Sequence, residues 1–167
     1  MVEEEEFQNK LQEILEKGDP ETLQELVETC FKSDAEAAVR GPLPIDYLLW
    51  EVKALRKLGR FAEALEILQA LVDRKDLANS SVVKIYLLAG EVLQELQELN
   101  GAEGAFLKVI ETDPWNHEPY ISLVNLFELQ ERWDDAFEAL KKAVAVKPAL
   151  IHQYEDELRT LREKSGS

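Results

Sequence analysis

Apolar residues recur along this chain at helical spacing, in pairs of short segments separated by turn residues. Few β-branched residues alternate with polar ones, so strand signals are almost absent. Phe7, Leu11, Ile14 and Leu15 share one face of a first predicted helix, over about 3–17. Leu23, Leu26, Val27 and Cys30 do the same over about 20–32. Gly18-Asp19-Pro20 separates the two as a C-terminal glycine, an N-cap aspartate and a first-turn proline. Residues 33–44 are irregular and close with Gly41-Pro42-Leu43-Pro44, so the helix restarts near Ile45. A second pair runs over about 45–58 and 61–75, followed by a loop through 76–80. Two cleaner pairs fill about 83–116 and 117–150. A last helix, about 149–164, places Leu150, Ile151, Tyr154, Leu158 and Leu161 on one face and charge on the other.

The cleaner pairs repeat each other at a spacing of 34 residues. Tyr86, Ala102, Ala105 and Pro114 recur as Tyr120, Ala136, Ala139 and Pro148, with Leu93/Phe127 and Phe106/Leu140 as conservative matches. The turn Gly59-Arg60-Phe61-Ala62-Glu63-Ala64-Leu65 has the same character, displaced by about four extra residues in the loop that follows. This pattern resembles the tetratricopeptide repeat, a helix–turn–helix unit of that period. The resemblance covers about 45–150 and extends weakly to residues 1–40, a divergent N-terminal pair. It implies an all-α fold: a right-handed α-α superhelix of three to four hairpins. The repeats span about 45–78, 83–116 and 117–150, and 151–164 form a C-terminal capping helix, all in one domain. The recurring residues have a physical rationale. Ala64, Ala102 and Ala136 fall early in each second helix, where a side chain larger than methyl forces the helices apart. Gly90 is the matching small residue on its first helix, where the other units carry Val52 and Val124. Pro114 and Pro148 stop the second helices.

A solenoid brings together only neighbouring repeats, which favours a binding surface over a catalytic pocket. In tetratricopeptide proteins the first helix of each pair lines a concave groove. With Leu48, Val52 and Leu55 facing the core, the row about 100° away is Leu49, Lys53 and Arg56. Its counterparts are Leu87, Glu91 and Gln94, then Ile121, Asn125 and Glu128. One step further lie Trp50 and Lys57, then Leu88 and Glu95, then Ser122 and Leu129. The expected partner site is therefore an apolar stripe, Leu49, Trp50, Leu87, Leu88 and Ile121, beside a basic cluster, Lys53, Arg56, Lys57 and Arg60, with Lys84 on the next unit. Glu91 and Asn125 complete the row; Asn125 could hydrogen-bond a peptide backbone. The competing reading packs the apolar residues against neighbouring helices and pairs the cations with Glu51, Glu63 and Glu91. Some members of the family grip a chaperone tail's terminal carboxylate with a lysine–asparagine–asparagine–lysine–arginine clamp. The corresponding places here hold Leu49, Lys53, Leu88, Lys84 or Glu118, and Ser122, so that clamp is broken.

Charge narrows the partner. The 167 residues carry 34 acidic against 19 basic side chains, a formal net charge of −15. A nucleic-acid binder needs a basic footprint to displace counterions from phosphates, and an anionic membrane repels such a chain. No apolar run approaches the roughly 18 residues of a membrane helix, and Glu3–Glu6 do not read as a signal peptide. A targeting segment or anchor beyond either end stays open. A single cysteine, Cys30, excludes an internal disulfide, favours a reducing, intracellular setting and reads as core filler. His117 and His152 are the only histidines, and no cysteine pair, HExxH spacing or glycine-rich phosphate loop accompanies them. Adjacent carboxylates such as Asp134-Asp135 read as a solvated face. The expectation is an intracellular, soluble, non-enzymatic module without metal or cofactor. Its partner is another protein, through an amphipathic helix or extended peptide with an acidic part. Self-association into a larger assembly is the alternative, with helical-repeat RNA binding behind it.

Overall fold

The computed structural model describes residues 45–74 and 77–166, together with Glu13, Thr22 and Glu25, which are helical. The expected N-terminal helix pair, Cys30 and the irregular 33–44 segment otherwise lie outside the described residues. Among the described residues there are α-helices, one 3₁₀ turn and no strand. The helices are α1 (Ile45–Lys57), α2 (Phe61–Val72), α3 (Asn79–Glu95), α4 (Leu99–Thr112), α5 (Glu118–Leu129), α6 (Trp133–Val146) and α7 (Ile151–Ser165), with a 3₁₀ turn at Pro148–Leu150. The sequence reads as one domain; the chain divides into two compact units, Met1–Asp76 and Leu77–Ser167.

Each hairpin closes with the same turn. Gly59, Gln97 and Glu131 adopt left-handed φ values of 72°, 62° and 57°. In each case the following N–H bonds back across the turn: Arg60 to Leu55 O at 2.9 Å, Glu98 to Leu93 O at 2.9 Å and Arg132 to Phe127 O at 2.9 Å. A second bond joins Gly59 to Arg56 O, Gln97 to Gln94 O and Glu131 to Glu128 O. This paired pattern satisfies the last carbonyls of the first helix and reverses the chain at once. Only the first unit places glycine where the backbone turns left-handed, so the other two turns tolerate strain that packing must offset.

Of the expected loop through 76–80, Leu77 and Ala78 lie outside any helix, whereas Asn79 and Ser80 are helical. α3 thus begins at Asn79, about a turn before the expected start at 83, and has 17 residues against 13 in α1 and 12 in α5. The second helices of the two later hairpins end alike. Asp113 and Lys147 are extended (φ −139° and −130°) because each precedes a proline.

In the second unit, the core gathers Ala102 and Phe106 of α4, Leu123, Val124, Leu126 and Phe127 of α5, Ala136, Ala139 and Leu140 of α6, and Leu161 of α7. Ala64, Ala102 and Ala136 have no exposed surface, as close helix approach requires. Tyr154 and Leu158 of α7 pack against this core, while Ile151, expected on the same face, is 38% exposed. The cause is a break in α7 at Tyr154 (φ −114°, ψ 16°), which shifts the first turn out of register with the rest. Lys164 Nζ lies 3.9 Å from the Trp133 ring centroid and ties the end of α7 to the start of α6.

Gly90 sits where α3 meets Phe106. A Cβ there would stand 2.7 Å from Phe106 Cζ and closer still to Cε1, and that ring is fully buried. A Cβ at Gly104, on the exposed face of α4, would meet nothing within 4 Å. The same substitution should therefore act with opposite signs. Gly90→Ala gains ~1 kcal/mol of helix propensity but overpacks the ring by about 1–3 kcal/mol, a net loss on the order of 1 kcal/mol. Gly104→Ala should stabilise by roughly 0.5–1 kcal/mol. Urea unfolding of both variants beside the parent checks the pair.

Candidate protein-interaction surface

On α1 burial wraps almost the whole helix. Leu49, Glu51, Val52, Ala54 and Leu55 are all buried, which leaves one solvent stripe through Asp46, Trp50, Lys53 and Lys57. Three of the expected partner-binding residues thus fall on one line at spacing i, i+3, i+7. Trp50 is half-buried and Lys53 Nζ lies 4.8 Å from its ring centroid, a cation–π contact on the surface. Among the described residues neither Lys53 nor Lys57 faces a carboxylate within ion-pair distance, although Arg60 does. Its Nε donates to Glu63 Oε1 at 2.6 Å, and that hydrogen bond holds the Glu63 carboxyl below the ordinary carboxylate range. Arg56 is half-buried beside the stripe.

Two expectations for this helix need correction. Leu49, expected on the groove wall, is only 4% exposed, because it shares a row with Val52 and burial on α1 extends past the core face. Glu51, expected among the surface carboxylates that neutralise the cations, is fully buried.

The second unit carries the remaining candidates on α3 and α5. Leu88 is 7% exposed, since it lies in the row Ile85–Leu88–Val92, whose other members have no exposed surface. It is a core residue and not a surface contact. Leu87 and Ile121 are half-buried and rest against the core with an edge left outside. Lys84 and Asn125 are exposed and Glu91 is half-buried. The outward row of α5 is Glu118, Ser122, Asn125 and Leu129, and Leu129 is 59% exposed. The apolar stripe as read from sequence omits Leu129, although Glu95, its counterpart one repeat earlier, marks the position as solvent-facing.

Arg132, at the turn between α5 and α6, braces two repeats. Its Nη1 donates to Glu103 Oε2 of α4 at 2.7 Å, its Nε to Asp135 Oδ2 at 2.7 Å, and the guanidinium stacks on Phe127 with 4.3 Å to the centroid. Near the same end of α5, burial pushes the Glu157 carboxyl of α7 above the ordinary range, and the Glu128 carboxylate adds to it.

Among the described residues no group of three or more His, Cys, Asp or Glu side chains could hold a metal ion. Nor is any described helix long and apolar enough to cross a membrane.

No family model matches the chain, and no curated protein matches it. Solved structures do. A structure titled MamA RS-1 ArsTM double mutant superposes with a TM-score of 0.65 at 22% identity, over 96% of this chain and 84% of that one. A crystal structure of MamA protein gives 0.63 at 18% identity, over 98% and 78%. MamA residues 41 to the end, from Desulfovibrio magneticus RS-1, gives 0.59 at 20%, over 97% and 90%. At such identities the likeness establishes the fold, which is all-α and of the tetratricopeptide-like helical-repeat kind.

The Glu128–Glu157 pair gives a pH prediction with a definite sign. A carboxyl whose folded-state pKa is raised contributes stability that is present below its unfolded pKa and is lost as pH rises through the folded value. Glu157→Gln should therefore melt above the parent at neutral pH. That advantage should vanish as pH falls through the raised range, in thermal scans taken across the acid limb.

Proposed function

We propose that this chain is a protein-interaction module that captures a segment of another protein on the solvent faces of its first helices. The observation that carries the reading is the α1 stripe. A half-buried tryptophan there lies under a lysine, and Lys53 and Lys57 lack a described carboxylate in a chain of net charge −15. A large aromatic with one face in water, flanked by cations, suits a segment that is apolar along one edge and acidic beside it. On this reading Trp50 supplies the apolar anchor, Lys53 and Lys57 orient the acidic part, and Arg56 stands next to them. In the second unit Leu87 and Ile121 offer apolar edges, while Lys84, Glu91 and Asn125 supply polar contacts along α3 and α5. Leu49 and Leu88 take no part, since both belong to the core.

The reading involves no catalytic step, metal or cofactor. Its mechanism is burial of partner side chains against exposed apolar edges, with specificity set by charge. Support comes from the repeat fold: in the second unit α4 packs on α5 and α6 on α7, so successive helices contact one another in series and their outer positions are left free of packing duties.

A photo-crosslinking residue in place of Lys57 should capture in cells a partner segment that combines acidic and apolar residues. With that segment as a labelled peptide, Trp50→Ala should weaken binding at least tenfold, and Lys53→Glu should weaken it in a salt-dependent way. Far-UV circular dichroism should stay unchanged. If Trp50→Ala lost helicity in step with binding, the tryptophan would be core and the reading would fall.

A further inference from the structure

A different part of the second unit presents a tryptophan far more openly. Trp115, in the turn between α4 and α5, is 80% exposed. Its turn is rigid. Asp113-Pro114-Trp115-Asn116 closes with the Asn116 N–H on Asp113 O at 3.2 Å, and the Trp115 N–H donates to Asp113 Oδ1 at 3.2 Å. Asn116 Oδ1 in turn accepts the Glu118 N–H at 2.9 Å, fixing the start of α5. Aspartate at the first position and proline at the second are what a turn of this type favours.

The repeat itself does not ask for an indole. One period later the equivalent turn, Lys147-Pro148-Ala149-Leu150, closes with the Leu150 N–H on Lys147 O at 3.0 Å and places alanine where Trp115 stands. The two turns lie side by side, because Lys147 Nζ is 3.2 Å from His117 Nε2. Pro114, Pro148 and Ala149 are exposed there too, and Ile151 is 38% exposed. Lys147 has no carboxylate within ion-pair distance among the described residues. A histidine ring nitrogen is no counter-charge, so the contact with His117 leaves the Lys147 charge uncompensated.

We propose that this turn edge is a second docking surface, separate from the solvent faces of α1, α3 and α5. Its occupant is a partner protein segment that receives Trp115 in an apolar pocket and sets a carboxylate against Lys147. An indole on a hydrogen-bonded turn has only two side-chain torsions to fix on binding, so its burial carries a small ordering cost for a large contact area. The uncompensated Lys147 ammonium, set against His117 two residues from Trp115, selects an acidic neighbour for that pocket. The surface stands independently of the α1 stripe, since it shares no residue with it.

The test is to pan a phage-displayed random-peptide library against the intact chain and measure the selected synthetic peptides by tryptophan fluorescence. Peptides that combine apolar residues with an acidic one should lose about thirtyfold or more in affinity with Trp115→Ala. They should weaken with Lys147→Glu, keep most of their affinity with Trp115→Phe, and be indifferent to Trp50→Ala. Thermal melts of Trp115→Ala should match the parent, as the alanine in the sister turn indicates. The proposal is overturned if selected peptides bind Trp115→Ala as well as the parent, or if none is selected. It is equally overturned if sedimentation shows a dimer that Trp115→Ala dissolves, or if phosphatidylcholine vesicles bind the parent and not that variant.

Discussion

Close approach of the two helices in each hairpin is the constraint on which the rest depends. It demands a methyl group or less at the crossing, and the chain meets that demand three times, with Ala64, Ala102 and Ala136 fully buried. In the middle repeat the requirement is stricter still, because the Phe106 ring occupies the space that a side chain at Gly90 would need. Bulk is thus supplied from one helix and withheld from the other. That division lets a short unit bury a continuous core with its neighbours despite having little interior of its own. The shared left-handed turn serves the same end, since only an abrupt reversal brings the helices together so soon after Leu55, Leu93 and Phe127.

Most of this was legible in the sequence because it is periodic. A repeat states each packing requirement more than once, so alanine at 102 and 136 and proline at 114 and 148 carry their reasons with them. What was misread lies where the period breaks. The expected loop through 76–80 runs two residues too far, because aligning the next repeat to the strict period starts its first helix only at Val83. Asn79 and Ser80 already belong to α3, which Ala78 precedes in extended conformation. Ile151 fails for a similar reason: a helical wheel assumes one continuous helix, and α7 breaks at Tyr154.

The candidate surface was less legible, and geometry explains why. Residues 87 and 88 are adjacent on the chain and 100° apart on the helix, so a small error in placing the core face exchanges wall for interior. Leu88 aligns with Ile85 and Val92 and is buried, whereas Leu87 keeps an edge outside. Trp115 was missed for the opposite reason. It lies in a turn, outside any helical row, and the only hint was that its counterpart Ala149 is small. A residue that one repeat carries and the next omits is not needed for the repeat, and exposure then shows that it is not needed for the core.

Charge follows the same logic of spent and unspent groups. Counted from sequence, Lys53, Arg56, Lys57 and Arg60 form one basic cluster, but a count does not show which cations already serve the fold. Arg60 stands at the same place in its turn as Arg132, and both are held by a carboxylate three residues on, Glu63 and Asp135. Arg132 also reaches Glu103 of the preceding repeat, which makes it a brace between repeats. Guanidinium suits that work, since its planar fork can bond two carboxylates and stack on Phe127 at once. The ammonium groups at Lys53, Lys57 and Lys147 have no such anchoring among the described residues, and two of the three stand beside an aromatic ring, Trp50 or His117. In this acidic chain the two turn arginines are engaged by carboxylates, and Lys53, Lys57 and Lys147 are left to meet something else.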